Sequence, residues 1–200
     1  MEEIQTGVWH WSTLHEGIGQ PVHSYFVVTG NEGVLIDPRI PDEGLAWFDE
    51  HTPPTQALLT NRHHYRHAGR FRERFGTTVW CNENGMHEFE GMEEAVEPFD
   101  FGRQLRGGFT AVEIGALCAE ETAFHRPESK LIALGDSLIV WEDELRFVPD
   151  DFMGDDPEAV KVGLRRSLEG LLDRDFETLL LAHGDPLVGE GKERLRQFVA

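Results

Sequence analysis

The sequence is poor in lysine, cysteine and tyrosine, and it has no long apolar run. Three of its 18 basic residues are lysine, against 37 acidic residues, so the formal net charge is −19. A chain this acidic is repelled by nucleic acid and by anionic membrane surfaces, and neither is an expected partner. No run approaches the ~20 apolar residues of a membrane span. The first residues, Met1-Glu2-Glu3-Ile4-Gln5, lack the basic and apolar regions of a signal peptide, so a cytoplasmic location is expected. The only cysteines, Cys81 and Cys118, are far apart in apolar settings. They read as two buried thiols rather than a disulfide or a catalytic pair. There is no linker, low-complexity tract or short-period repeat. What remains is 200 residues with 40% apolar content and 13 phenylalanines, enough for one domain, residues 1–200, with a sizeable core.

The pattern begins with strands. Gly7-Val8-Trp9-His10-Trp11 alternates, and Trp9 and Trp11 read as packing on a sheet. Val22–Val28 is β-branched and aromatic, and Gly30-Asn31-Glu32-Gly33 turns it into Val34-Leu35-Ile36-Asp37-Pro38. Helical spacing follows at Leu45, Trp47 and Phe48, then strands at 57–60 and 77–81. Residues 82–108 are acidic (Glu83, Glu88, Glu90, Glu93, Glu94, Glu97, Asp100) and read as a short helix and solvated loops. Strands resume at 109–114, 123–125 and 131–134. Asp155-Asp156-Pro157-Glu158 starts a helix with Val160, Leu164, Leu168, Leu171 and Leu172 on one face. A strand at 178–181 and a helix from Glu190 follow. Hairpins, then strands alternating with helices, then the same order again predict two packed sheets with helices outside.

The most informative stretch is Thr60-Asn61-Arg62-His63-His64-Tyr65-Arg66-His67-Ala68-Gly69. Three imidazoles lie in five residues where a strand hands over to a helix, a place from which side chains converge on a metal ion. Two further apolar strands end alike: Leu131–Leu134 leads to Gly135-Asp136, and Leu179–Ala182 leads to His183-Gly184.

These motifs resemble the metallo-β-lactamase fold superfamily, in the family's order and over nearly the whole chain. Val22–Phe26 followed by Leu35-Ile36-Asp37 matches its first strands. Thr60–Gly69 matches Thr-His-x-His-x-Asp-His-x-Gly, and Gly135-Asp136 and Ala182-His183-Gly184 match its later ligand turns. The resemblance implies a four-layer αβ/βα sandwich: two packed mixed β-sheets with helices on both outer faces. Aligned on His67-Ala68-Gly69, His64 and His67 take the second and third histidine positions. Arg62 and Arg66 then stand where the family has a histidine and an aspartate, and Leu117 stands in place of another histidine. Aligned on Thr60 instead, Asn61 and His63 are selected. The implied ligands are His64, His67, Asp136 and His183, a mononuclear set for Zn, Fe or Mn, with His63 or Tyr65 as a further donor.

The implied activity is metal-assisted hydrolysis of a small ester, thioester or phosphoester. Asp136, His64 and Arg66 would act in catalysis, and Arg62, His63 and Tyr65 would contact a small-molecule substrate, the arginines through its anionic group or oxyanion. The alternative is a non-catalytic member of the fold that binds a ligand or partner. In that case Arg66 forms an ion pair with Asp136 and no metal is held. A site assembled through His63, His23 or His10 is a third arrangement. Among the plainer readings, Asp136 caps the turn at Ser137, His183 fills a polar cleft, and His125 is exposed in a Pro-containing hairpin. The oligomeric state is left open.

Overall fold

The computed structural model describes residues 1–93 and 95–200; Glu94, read above as part of the acidic stretch, lies outside them. The first sheet has seven strands: β1 (Glu2–Gln5), β2 (Val8–His15), β3 (Gln20–Thr29), β4 (Glu32–Ile36), β5 (Pro54–Leu58), β6 (Thr78–Asn82) and β7 (Val96–Phe99). They lie side by side in the order of the sequence. The first four are antiparallel, and β4 to β7 are parallel. The second sheet contains β8 (Gln104–Leu105), β9 (Phe109–Glu113), β10 (Thr122–Arg126) and β11 (Leu131–Leu134). A hairpin of β12 (Ile139–Trp141) and β13 (Glu144–Arg146) follows, and then β14 (Thr178–Leu181), which joins the second sheet parallel to β11. The helices are α1 (Ala46–Asp49), α2 (Ala68–Phe75), α3 (Pro157–Leu171) and α4 (Gly191–Val199). None is long and apolar enough to cross a membrane among the described residues.

The two-residue period of each strand sorts its side chains into layers. Tyr25, Val27 and Ile36 point inward and meet Phe109, Phe124, Leu131 and Leu180 of the second sheet. Phe26 and Leu35, one residue out of phase, face Phe48 of α1 and Phe71 of α2. On the opposite side Ile132, Leu134, Leu179 and Leu181 face Leu164, Leu168 and Leu171 of α3 and Leu195 of α4. The expected sandwich with helices on both outer faces is therefore present. α3 begins where the acidic and proline signals place it, with the Asp156 carboxylate accepting from the Ala159 amide at 3.0 Å.

Several local readings are corrected. β7 and β8 lie inside the stretch read as helix and loops, and the β12–β13 hairpin has no counterpart in the sequence reading. His125 is buried, not exposed: it shares a face with Ala123, and its ring nitrogen meets the Asp175 carbonyl at 2.8 Å. Cys81 is buried and Cys118 half-buried, both unpaired.

The sheets are tied together at one end. The Tyr25 hydroxyl donates to the Leu181 carbonyl at 2.8 Å and accepts from the Leu181 amide at 3.0 Å. The His23 amide donates to the Ala182 carbonyl at 2.9 Å and the Thr122 amide to the Thr60 carbonyl at 2.8 Å. These bonds fix the relative height of β3, β5, β10 and β14, and so of everything carried on the loops beyond them.

Candidate metal centre

The carboxyl ends of β4, β5, β11 and β14 come together at this edge, the usual place for a site built on parallel strands. They carry Asp37, the segment Thr60–His67, Asp136 and His183. Asn61 caps a short 3-10 turn over Arg62–Tyr65, its side chain accepting from the His63 amide at 2.9 Å. That turn aims His64 inward. The His64 Nε2 lies 3.2 Å from Asp136 Oδ1, and His183 Nε2 lies 3.0 Å from the same oxygen. One donor atom from each of His64, Asp136 and His183 falls within 4.8 Å of the others.

The surroundings hold these side chains still. Asp37, fully buried, takes three hydrogen bonds: from the Thr60 amide at 2.8 Å, from the Thr60 hydroxyl at 2.6 Å, and from His64 Nδ1 at 2.9 Å. The other oxygen of Asp136 accepts from Asn61 Nδ2 at 2.9 Å. Asn61 also reaches Glu121 at 3.3 Å, and Glu121 accepts from the Ser137 amide at 2.9 Å. Glu121, not Asp136, therefore holds the turn at Ser137. The His64 side chain is 6% exposed, whereas those of His183 and Asp136 keep 23% and 24%. The opening to solvent is on their side.

Burial opposes a charge on His64, but Asp136 and Asp37 outweigh it and push its pKa up to about 9. Burial works against ionisation of Asp136 as well, and the two imidazoles hold it well below the carboxylate range. For Glu121, burial and then Asp136 outweigh the Ser137 amide and His64 and push its pKa up to about 7.

The structure brings together three of the four residues expected as ligands. His67 is elsewhere: it stands at the start of α2, and its Nδ1 accepts from the Ile40 amide at 3.0 Å. Arg66 does not pair with Asp136. Its guanidinium donates to the carbonyls of His23 at 2.7 Å and Asp37 at 2.9 Å, on a residue with φ +46°. Arg62 pairs with Glu120, and more loosely with Glu88 at 3.8 Å. Both guanidiniums have partners in the protein, Arg62 a carboxylate and Arg66 two backbone carbonyls. His63 is exposed, and Tyr65 packs near Phe89 with ring centroids 5.8 Å apart. Leu117 packs on the core of the second sheet.

Sequence reading gives no role to Asp37 or Glu121, and it selects Asn61 only in the alternative alignment on Thr60. Asp37 offers the same signal as Asp136, a carboxylate directly after an apolar strand. Asn61 lies inside the histidine motif. Glu121 offers none, because a buried glutamate looks like a surface one in sequence.

No protein-family model matches the sequence, and no curated protein does. Solved structures do. A metallo-beta-lactamase family protein from Thermus thermophilus, TTHA1429, superposes with a TM-score of 0.72 at 18% identity, over 98% of this chain and 79% of that one. TTHA1623 in a di-iron-bound form gives 0.69 at 24% identity, over 92% and 96%. The metallo-beta-lactamase FIM-1 from Pseudomonas aeruginosa, in its mono-zinc form, gives 0.70 at 16% identity, over 98% and 92%. With the layer order and the strand-end cluster already in hand, these likenesses establish that the chain has the fold of the metallo-β-lactamase superfamily.

Proposed function

We propose that this protein is a metal-dependent hydrolase of a small ester, thioester or phosphoester, with one divalent ion held by His64, Asp136 and His183. The observation that carries this reading is the donor set itself: two imidazole nitrogens and a carboxylate within 4.8 Å of one another, open to solvent on one side. That set suits zinc, iron or manganese, and two of the structural neighbours are a di-iron-bound form and a mono-zinc form. When bound, the ion would supply Lewis acidity and lower the pKa of water to about 7. Asp37 fixes the His64 ring by holding Nδ1, which leaves Nε2 to face the opening. Asn61 fixes Asp136, its Nδ2 donating to both Asp136 and Glu121. Arg66 acts through the backbone, pinning β3 to the loop after β4, and contributes positioning rather than chemistry.

The test is turnover of p-nitrophenyl acetate, a phosphodiester analogue and an acyl thioester by protein loaded with each ion in turn. Hydrolysis of one class is expected, falling at least 100-fold in His183→Ala. Equal rates in both proteins, or none in the loaded wild type, would overturn the reading.

One observation favours a second reading, a ligand- or partner-binding protein without metal. His64 bridges Asp37 and Asp136 at 2.9 and 3.2 Å, so both carboxylates have a partner in the cluster without an ion. Calorimetry showing no binding of zinc, iron or manganese would select this reading.

A further inference from the structure

A second group of ligating side chains lies at the same edge and takes no part in the centre above. His10 is on β2, His23 on β3, and Asp185 two residues beyond His183. One donor atom from each lies within 4.8 Å of the others. We infer that His10, His23 and Asp185 form a second divalent-cation site, separate from His64, Asp136 and His183.

The two imidazoles meet nitrogen to nitrogen. His10 Nε2 and His23 Nδ1 are 2.8 Å apart, with ring planes 9° from parallel. Between neutral rings that contact holds a single proton. A divalent ion bonded tetrahedrally to both nitrogens at about 2.1 Å needs them roughly 3.4 Å apart, with each lone pair turned off the line between them. Exchanging the proton for a cation takes a separation of roughly half an ångström and a turn of the less buried His10 ring.

The two histidines are held in place. His23 is 4% exposed, and its backbone is tied to Ala182. His10 stacks on Tyr25 at 5.2 Å, and the Tyr25 hydroxyl is fixed to Leu181. Asp185 is the exposed, adjustable member. It is set by the turn at Gly184, where φ is +97° and a Cβ would come within 2.5 Å of the Val140 carbonyl. The solvent side is open. A cavity of about 320 Å³ borders His10 and carries Glu2, Asp42 and Glu43 on its wall, the last paired with the terminal amine. Arg66 approaches from the other side, its charge spread over the His23 and Asp37 carbonyls. Two imidazoles and one carboxylate with open positions suit zinc, iron(II), cobalt or manganese, and leave room for water or an anionic ligand.

The test is calorimetric titration of metal-free protein with zinc, and separately with manganese, at pH 7.5. His10→Gln, Asp185→Asn and His183→Ala are compared with wild type, after circular dichroism shows each is folded. His10 and Asp185 are not in the core, so their variants should fold. Wild type should bind two equivalents. His10→Gln and Asp185→Asn should each lose one, or bind it at least tenfold more weakly, while His183→Ala keeps that one and loses the other. One equivalent that survives in His183→Ala and is lost in the other two would uphold this site and remove the proposed hydrolytic centre. Wild-type stoichiometry and affinity in both His10→Gln and Asp185→Asn would overturn the inference, as would a wild type that binds neither ion.

Discussion

At the residue scale, Asp37 joins the end of β4 to the histidine that faces the opening. It has a left-handed backbone, φ +47°, which asparagine also tolerates. Asp37→Asn therefore keeps the turn and removes only the charge behind His64. It is expected to lower stability by roughly 2–4 kcal/mol in urea unfolding, because His64 loses one of its two anions in a buried place. It should also weaken zinc binding about 10- to 100-fold; unchanged values of both would refute the role assigned to Asp37. Arg66→Asp would restore the carboxylate that the histidine motif implies at this position, yet the guanidinium does not occupy Asp136. The variant is expected to lose about 2 kcal/mol or more, since two carbonyls lose their donor, and to gain no zinc affinity. A gain measured by calorimetry would show that Arg66 does control the centre. Position 66 shows where residue-level reading stops. The motif locates it correctly in the chain, but the strained backbone there turns the side chain toward β3, and no residue type announces that.

At the element scale, the legible parts are those with strong period and clear ends. α3 has its acidic cap, proline and leucine face, and β10, β11 and β14 have near-continuous apolar runs. β7 is not legible because it contains Pro98 and two exposed residues, as an edge strand can. β8, β12 and β13 are two or three residues long, too short for a pattern. His125 reads wrongly because the proline after β10 draws attention to the turn, while the two-residue period places it beneath the connection from α3 to β14. The junction of β5 and β11 yields a prediction at this scale. At Gly135 an added Cβ would stand 2.6 Å from Thr60 Oγ1 and 2.9 Å from Glu121 Oε1. Gly135→Ala should separate the two strand ends, cost about 1–3 kcal/mol by overpacking, and loosen the Thr60–Asp37–His64 chain. Denaturant midpoints together with metal affinity check this; a variant that matches wild type in both would mean the ends are not in close register.

At the scale of the whole molecule, His64 and His23 make stability depend on pH in opposite senses. The His64 pKa is raised in the folded state, to about 9, so its contribution is complete below about pH 6.5 and disappears as pH rises through 9. The His23 pKa is lowered, to about 4, so its contribution is lost as pH falls below about 6.5. Metal-free protein should therefore lose roughly 2–3 kcal/mol between pH 7 and 9, at about 1.4 kcal/mol per pH unit. Urea unfolding in chelator measures this, and His64→Gln should flatten that limb; an equally steep limb in the variant would assign it to another group. Sequence alone locates His64 in the cleft but cannot give its charge, which depends on two carboxylates 27 and 72 positions away. The sequential strand order of the first sheet bears on synthesis. All its pairing partners lie within residues 2–99, so its ladders can close on a nascent chain before Phe109 and Phe124 emerge to cover the inner face. Asp37 and His64 are delivered with that first half. Asp136 and His183 arrive only with β11 and β14, so on the ribosome the candidate centre is among the last parts of the molecule to be assembled.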